Sequence, residues 1–148
     1  MMAGTAEILL VDDNPADLDL TIDALAQSHW PSHVSTVSDG AEAIAYLRRE
    51  GKYSGAARPH LVLLDLNLPR KDGRSVLADV KTDPALHRIP VVIFSTSQAA
   101  KDIERSYELG ANSYMTKPPT LSEWVSAVKL LKDFWIGCAC LPREEQND

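Results

Sequence analysis

The chain has 148 residues, enough for one domain with a substantial core. It is 45% apolar and 24% charged, and 21 acidic against 15 basic side chains give a formal charge of −6 with no Lys/Arg cluster. That balance argues against a nucleic-acid-binding surface. No apolar run approaches ~18 residues, so no membrane span is expected, and the start from Met1 to Glu7 lacks the basic stretch of a signal peptide. Cys138 and Cys140 are too close together for a disulfide framework or a zinc site. A cytoplasmic protein is expected.

Strand-like and helix-like segments alternate. Residues 8–11 read as a buried strand. Asn14, Pro15 and Asp17 then suit the cap, first and third positions of a helix whose apolar face holds Leu18, Ile22 and Leu25. Residues 33–37 form a short strand. Asp39-Gly40 opens a second helix carrying Ile44 and Leu47, and residues 50–60 form a polar loop. Leu61–Leu64 is the next strand, and the helix after Gly73 buries Val76, Leu77 and Val80. Residues 82–90 make a loop with two prolines before the strand 91–94. The helix at about 99–109 is stopped by Gly110. Ser113–Thr116 is the last strand and residues 121–136 the last helix, with a tail from Gly137. Continuous apolar strands alternating with helices predict an α/β fold, a parallel sheet covered on both faces. One domain over 1–136 is expected, followed by the tail 137–148 and no output domain.

Polar groups mark the ends of these strands. Asp12 and Asp13 follow the first, Asp65 the third, Ser95 the fourth and Lys117 the fifth. In an open parallel sheet that edge is where ligands bind. Taken singly, Asp12-Asp13 reads as a capping pair, Asp65 as a turn residue, and Ser95-Thr96-Ser97 as a helix cap. Taken together, three carboxylates, a hydroxyl and an ammonium predict a site for a divalent metal and an anion. Tyr114 reads either as an apolar body with a wet hydroxyl or as a moving part. The four histidines share no metal-ligand spacing and read as surface or loop residues.

Val11-Asp12-Asp13, Leu64-Asp65-Leu66-Asn67-Leu68-Pro69 with Asp72-Gly73, Phe94-Ser95-Thr96 and Tyr114-Met115-Thr116-Lys117-Pro118 resemble the receiver domain of two-component response regulators, over residues 7–135. The resemblance implies a flavodoxin-like, five-stranded sheet in the order 2-1-3-4-5. It implies that Asp65 accepts a phosphoryl group from a phosphohistidine on a histidine kinase, giving an aspartyl phosphate. Mg2+ would be held by Asp13 and Asp65, by Asp12 directly or through water, and by the Asn67 backbone carbonyl. Lys117 and the Ser95 hydroxyl would bind the phosphoryl oxygens. Pro118 would sit in a cis bond that aims Lys117 inward. Ser95 and Tyr114 would form the switch, with serine standing where threonine is common in the family.

The last helix spreads apolar residues over roughly two-thirds of its circumference at ~100° per residue, more than one buried face needs. A homodimer through Trp124, Leu131 or Trp135 is therefore expected. The loop 50–60, the segment 82–90 and the apolar tail resemble the small single-domain regulators of bacterial phytochrome-type histidine kinases. Two other readings compete. A haloacid-dehalogenase-type phosphatase needs an acid two residues after the nucleophile, where Asn67 stands. A receiver acting only as a phosphate sink would have no downstream target.

Overall fold

The structure, a computed structural model, describes residues 4–142. Five strands, β1 (Ala6–Val11), β2 (Ser32–Val37), β3 (Leu61–Leu64), β4 (Val91–Ser95) and β5 (Ser113–Thr116), form one sheet in the order β2-β1-β3-β4-β5. Every pairing is parallel. Helices α1 (Pro15–Ala26), α2 (Gly40–Leu47), α3 (Gly73–Thr82), α4 (Ala100–Glu108) and α5 (Leu121–Lys132) alternate with the strands. This is the flavodoxin-like order expected from the sequence.

Side chains alternate across a strand, so neighbouring apolar residues serve opposite faces. Leu9, Val11, Val62, Leu64 and Ile93 pack with Ile44 and Leu47 of α2 and Val76, Leu77 and Val80 of α3. Ile8, Leu10, Leu63, Val92 and Phe94 pack with Leu25 of α1 and Trp124, Val128 and Leu131 of α5. Helix α4 contributes little to either core, Ser106 being its one buried residue.

The first two helix starts follow the capping chemistry read from the sequence. Asn14 Oδ1 accepts the Ala16 and Asp17 amides at 3.0 and 3.2 Å, and Asp39 Oδ1 accepts the Glu42 amide at 2.7 Å. Asp72 caps α3 by accepting the Arg74 amide at 3.0 Å. Gly73 must be glycine for space, because a Cβ there would lie 2.2 Å from the Asp65 carbonyl oxygen.

Three local differences have physical causes. β1 begins at Ala6, whose amide donates to the Pro31 carbonyl at 3.1 Å and extends the ladder. His60 belongs to the fold rather than to a free loop, since its Nδ1 accepts the Glu7 amide at 2.9 Å. The last helix is not one α-helix to residue 136. It turns into a wider π segment at Asp133–Cys138. There Lys132 is buried and its Nζ donates to the Leu25 carbonyl at 2.7 Å, satisfying the end of α1. Gly137 lies against the Trp30 indole, where a Cβ would come within 2.5 Å. Residues 137 and 138 thus continue the helix, and Leu141 packs on the α1–α5 core. The rest of the expected tail, 143–148, and the first three residues lie outside the described residues.

Candidate functional site

The register brings the polar strand ends to one edge. Val11 pairs with Leu64, so Asp12 and Asp65 leave the sheet side by side, and Ser95 pairs with Thr116 just before Lys117. Asp12, Asp13 and Asp65 each place a carboxylate oxygen within 4.8 Å of the others. Asp13 is exposed, while Asp12 and Asp65 are buried. An all-oxygen cluster with one open side suits a hard divalent cation. Asn67 is exposed on the loop beyond Asp65.

Lys117 is buried and crosses the cluster. Its Nζ donates to Asp12 Oδ2 at 2.7 Å, Asp17 Oδ2 at 2.9 Å and Asp65 Oδ2 at 3.0 Å. Burial alone would lower its pKa, but the hydrogen bonds to Asp12 and Asp17 and the charge of Asp65 more than offset this. The ammonium therefore stays charged well above the usual lysine range. Burial raises the Asp12 carboxyl above its ordinary value, and bonds from Lys117 and the Asn14 amide only partly offset that shift. The Asn14 amide reaches Asp12 Oδ1 at 2.9 Å, and the Leu66 amide reaches Asp65 Oδ1 at 2.8 Å. Both buried carboxylates are thus fixed in orientation.

The cis bond expected before Pro118 is absent: no cis peptide bond occurs among the described residues. Lys117 is aimed instead by its own amide, which donates to the Ser95 carbonyl at 2.7 Å, and by its three carboxylate partners. Ser95 is fully buried, and its Oγ accepts the Ser97 amide at 3.3 Å. Tyr114 points inward, its hydroxyl donating to the Ser97 carbonyl at 2.8 Å.

The chain matches the model of the response regulator receiver domain family over residues 8–129. The chain belongs to that family. It is 44% identical to the response regulator Rcp1 of Synechocystis over 135 residues, 91% of this chain and 92% of that protein. The receiver also superposes on the phosphorylated cyanobacterial phytochrome response regulator RcpA with a TM-score of 0.92 at 54% identity, covering 95% of this chain and all of that one. The Mn2+-bound form of Rcp1 gives a TM-score of 0.89 at 43% identity, covering 93% and 99%. The receiver is thus a response regulator of the two-component type, and its acidic cluster has the donor set to hold a divalent metal.

The last helix corrects the expected interface. Trp124 and Leu131 face the receiver's own core. Trp124 donates from Nε1 to Thr21 Oγ1 at 3.2 Å and meets Phe94 edge-on at 5.1 Å. Trp135 is half-buried beside Phe134. The outward apolar residues are Leu121, Leu130 and Phe134, which are 62%, 71% and 56% exposed. The width of the apolar arc was legible in the sequence, but which part of it α1 would cover was not.

Sequence reasoning also passed over Asp17, taken only as a first-turn acid, and the pair Arg74 and Asp102. Arg74 Nη2 donates to Asp102 Oδ1 at 2.9 Å, across the gap between α3 and α4. An arginine in the first turn of a helix, against the macrodipole, is the one local sign of such a partner.

Proposed function

We propose that this receiver accepts a phosphoryl group on Asp65 from the phosphohistidine of a histidine kinase, with Mg2+ in its acidic cluster. What supports the reading is one convergence: the Lys117 ammonium and the carboxylates of Asp12, Asp13 and Asp65 meet at one strand edge. The Leu66 amide occupies Asp65 Oδ1, which leaves Oδ2, the oxygen beside Lys117, as the nucleophile. A lone pair of that oxygen forms the bond to phosphorus while the nitrogen–phosphorus bond breaks and its electrons return to the imidazole. Lys117 then moves its proton donor from Asp65 to a phosphoryl oxygen, and the Ser95 hydroxyl takes a second. A cation bound by Asp12, Asp13, Asp65 and the Asn67 carbonyl would supply the charge neutralisation that lets two anions meet. Attack by water at phosphorus breaks the bond to the Asp65 oxygen, releases inorganic phosphate and restores the carboxylate, so the receiver catalyses its own phosphorylation and dephosphorylation.

Tyr114 and Ser95 form the switch in this reading, with the inward tyrosine tied to the loop that carries the phosphate-binding hydroxyl. The similarity to RcpA and Rcp1 supports a phytochrome-type kinase as the partner. The exposed Leu130 and Phe134, four residues apart on one face, support a homodimer through the last helix. We place the protein in the cytoplasm, with the receiver continuing through the helical segment that ends at Cys138. Asp65→Asn tests the centre of the proposal: it should abolish Mg2+-dependent labelling by acetyl phosphate. Stoichiometric labelling of that variant would sink it.

A further inference from the structure

A hydrogen-bonded chain leaves the site through Ser97 and ends at the surface between α3 and α4. Ser97 is held at every polar atom. Its amide donates to Ser95 Oγ at 3.3 Å, and its carbonyl accepts the Tyr114 hydroxyl at 2.8 Å. Its own hydroxyl donates to Asp102 Oδ2 at 2.6 Å. The other Asp102 oxygen accepts Arg74 Nη2 at 2.9 Å, and Arg74 Nη1 donates to Asp72 Oδ1 at 3.2 Å. Both carboxylate oxygens of Asp102 are thus committed, one to the loop and one to α3.

Two details set this apart from an incidental surface ion pair, which contributes little to stability. Helix α4 has no capping side chain at Ala99, and the Ala99 amide is taken by Ser97 Oγ at 3.3 Å instead. The start of α4 therefore depends on where Asp102 holds that hydroxyl. Arg74 sits in the first turn of α3, where the helix dipole disfavours a cation. Its flanking carboxylates, Asp72 and Asp102, compensate for the position. Hydrogen bonds from Ser97 and Arg74 hold the Asp102 carboxyl below its ordinary range, so it stays anionic.

We propose that Asp102, clamped by Arg74, is a positioning residue for the loop between β4 and α4: it keeps the Ser95 hydroxyl ready for the phosphoryl group and Tyr114 turned inward. Because Ser95 Oγ accepts the Ser97 amide, its own proton is free to point at an anion. Releasing Ser97 removes that orientation and the acceptor for Tyr114 together. The inference rests on the reading of Ser95 and Tyr114 given above.

The test is a double-mutant cycle. Ser97→Ala and Asp102→Ala are compared with the double variant, and Arg74→Met and Asp102→Asn guard against folding defects. Initial rates of Asp65 phosphorylation by acetyl phosphate are measured with Mg2+, and the Tyr114 ring is followed by fluorotyrosine NMR, assigned with Tyr114→Phe. Each single change should slow phosphorylation about five- to tenfold, the scale of a typical coupling between sites, and shift the Tyr114 signal toward that of an exposed ring. Mg2+ affinity should be unchanged, and the double variant should be no slower than the slower single variant, because both act through one hydrogen-bonded chain. Wild-type rates with an unmoved Tyr114 signal would overturn the proposal, as would losses from Ser97→Ala and Asp102→Ala that simply multiply in the double variant. If the unaltered protein takes no phosphate on Asp65, the functional reading fails, and the Tyr114 signal alone decides whether the latch exists.

Discussion

Asp17 in the first turn of α1 holds Lys117 Nζ at 2.9 Å, so a helix joins a site otherwise built from strand ends. An ammonium has three protons, and Asp12, Asp17 and Asp65 take all of them. Asp17 is not among the three acids that can share a metal. In the proposed reaction, where Asp12 would hold a cation and Asp65 would bond to phosphorus, Asp17 would be the partner that keeps Lys117 in place. Asp17→Asn should therefore slow phosphorylation by acetyl phosphate about three- to tenfold, or roughly 1 kcal/mol of barrier, and change Mg2+ affinity by less than about threefold. Rate measurements beside a metal titration check this, and an unaltered rate refutes it.

Acidity should act through Asp12. Its folded-state pKa lies above the ordinary carboxylate value because burial disfavours the anion. The native chain thus binds this proton more tightly than the unfolded chain. From this group, stability falls as pH rises from the ordinary carboxylate value through the raised folded one, and is regained on acidification. Melting curves of the metal-free protein should show Asp12→Asn more stable than the parent at neutral pH. The gap should close as pH falls into the carboxylate range. A gap independent of pH would refute the assignment. Mg2+ affinity should fall over the same range, because proton and cation compete for the oxygens.

Gly73 packs its α-carbon onto the turn after Asp65. A methyl group there would overlap the Asp65 carbonyl and lie 2.7 Å from the Leu66 Cα. Both obstacles are backbone and cannot rotate away. Gly73→Ala should destabilise the fold by ~1–3 kcal/mol and slow phosphorylation, because relief of the clash displaces the nucleophile. Chemical denaturation with a parallel phosphorylation assay would show both effects; loss of stability with a normal rate would mean that the strain is absorbed elsewhere.

The two sides of α5 should respond differently. Trp124→Ala empties a buried site against Phe94 and Thr21, and should cost ~3–5 kcal/mol of protomer stability. Phe134→Glu combined with Leu130→Glu alters exposed residues and should leave the melting of the protomer nearly unchanged. It should abolish self-association while phosphorylation continues. Sedimentation decides the matter: an unaltered protein that stays monomeric at high micromolar concentration rules out the dimer.

Strand order, helix caps and the strand-end acids were legible because each rests on local rules: apolar runs, capping chemistry and the edge of a parallel sheet. Asp17 and Lys132 were not, because each is defined by a partner about a hundred residues away. Lys132 also hides within the apolar arc of α5, where a lysine is ordinarily read as solvent-facing. Trp124 and Leu131 were misplaced as interface residues for the same reason: helical spacing shows how wide an apolar face is, but the neighbouring α1 determines how much of it is left over. The trans bond at Pro118 shows that an X-Pro step permits the rarer isomer without demanding it.

Helix α4 buries almost no apolar side chain, whereas α1 and α5 are joined through Trp124 to Thr21 and Lys132 to Leu25. Rearranging α4 would expose little oil to water, so the energy of one phosphate could redraw that face while the opposite face stays rigid. Amide exchange would map this as a contrast, fast along residues 96–108 and slow through the α1–α5 pair. The receiver then has a stator and a rotor, and a partner that senses phosphorylation need only touch the rotor.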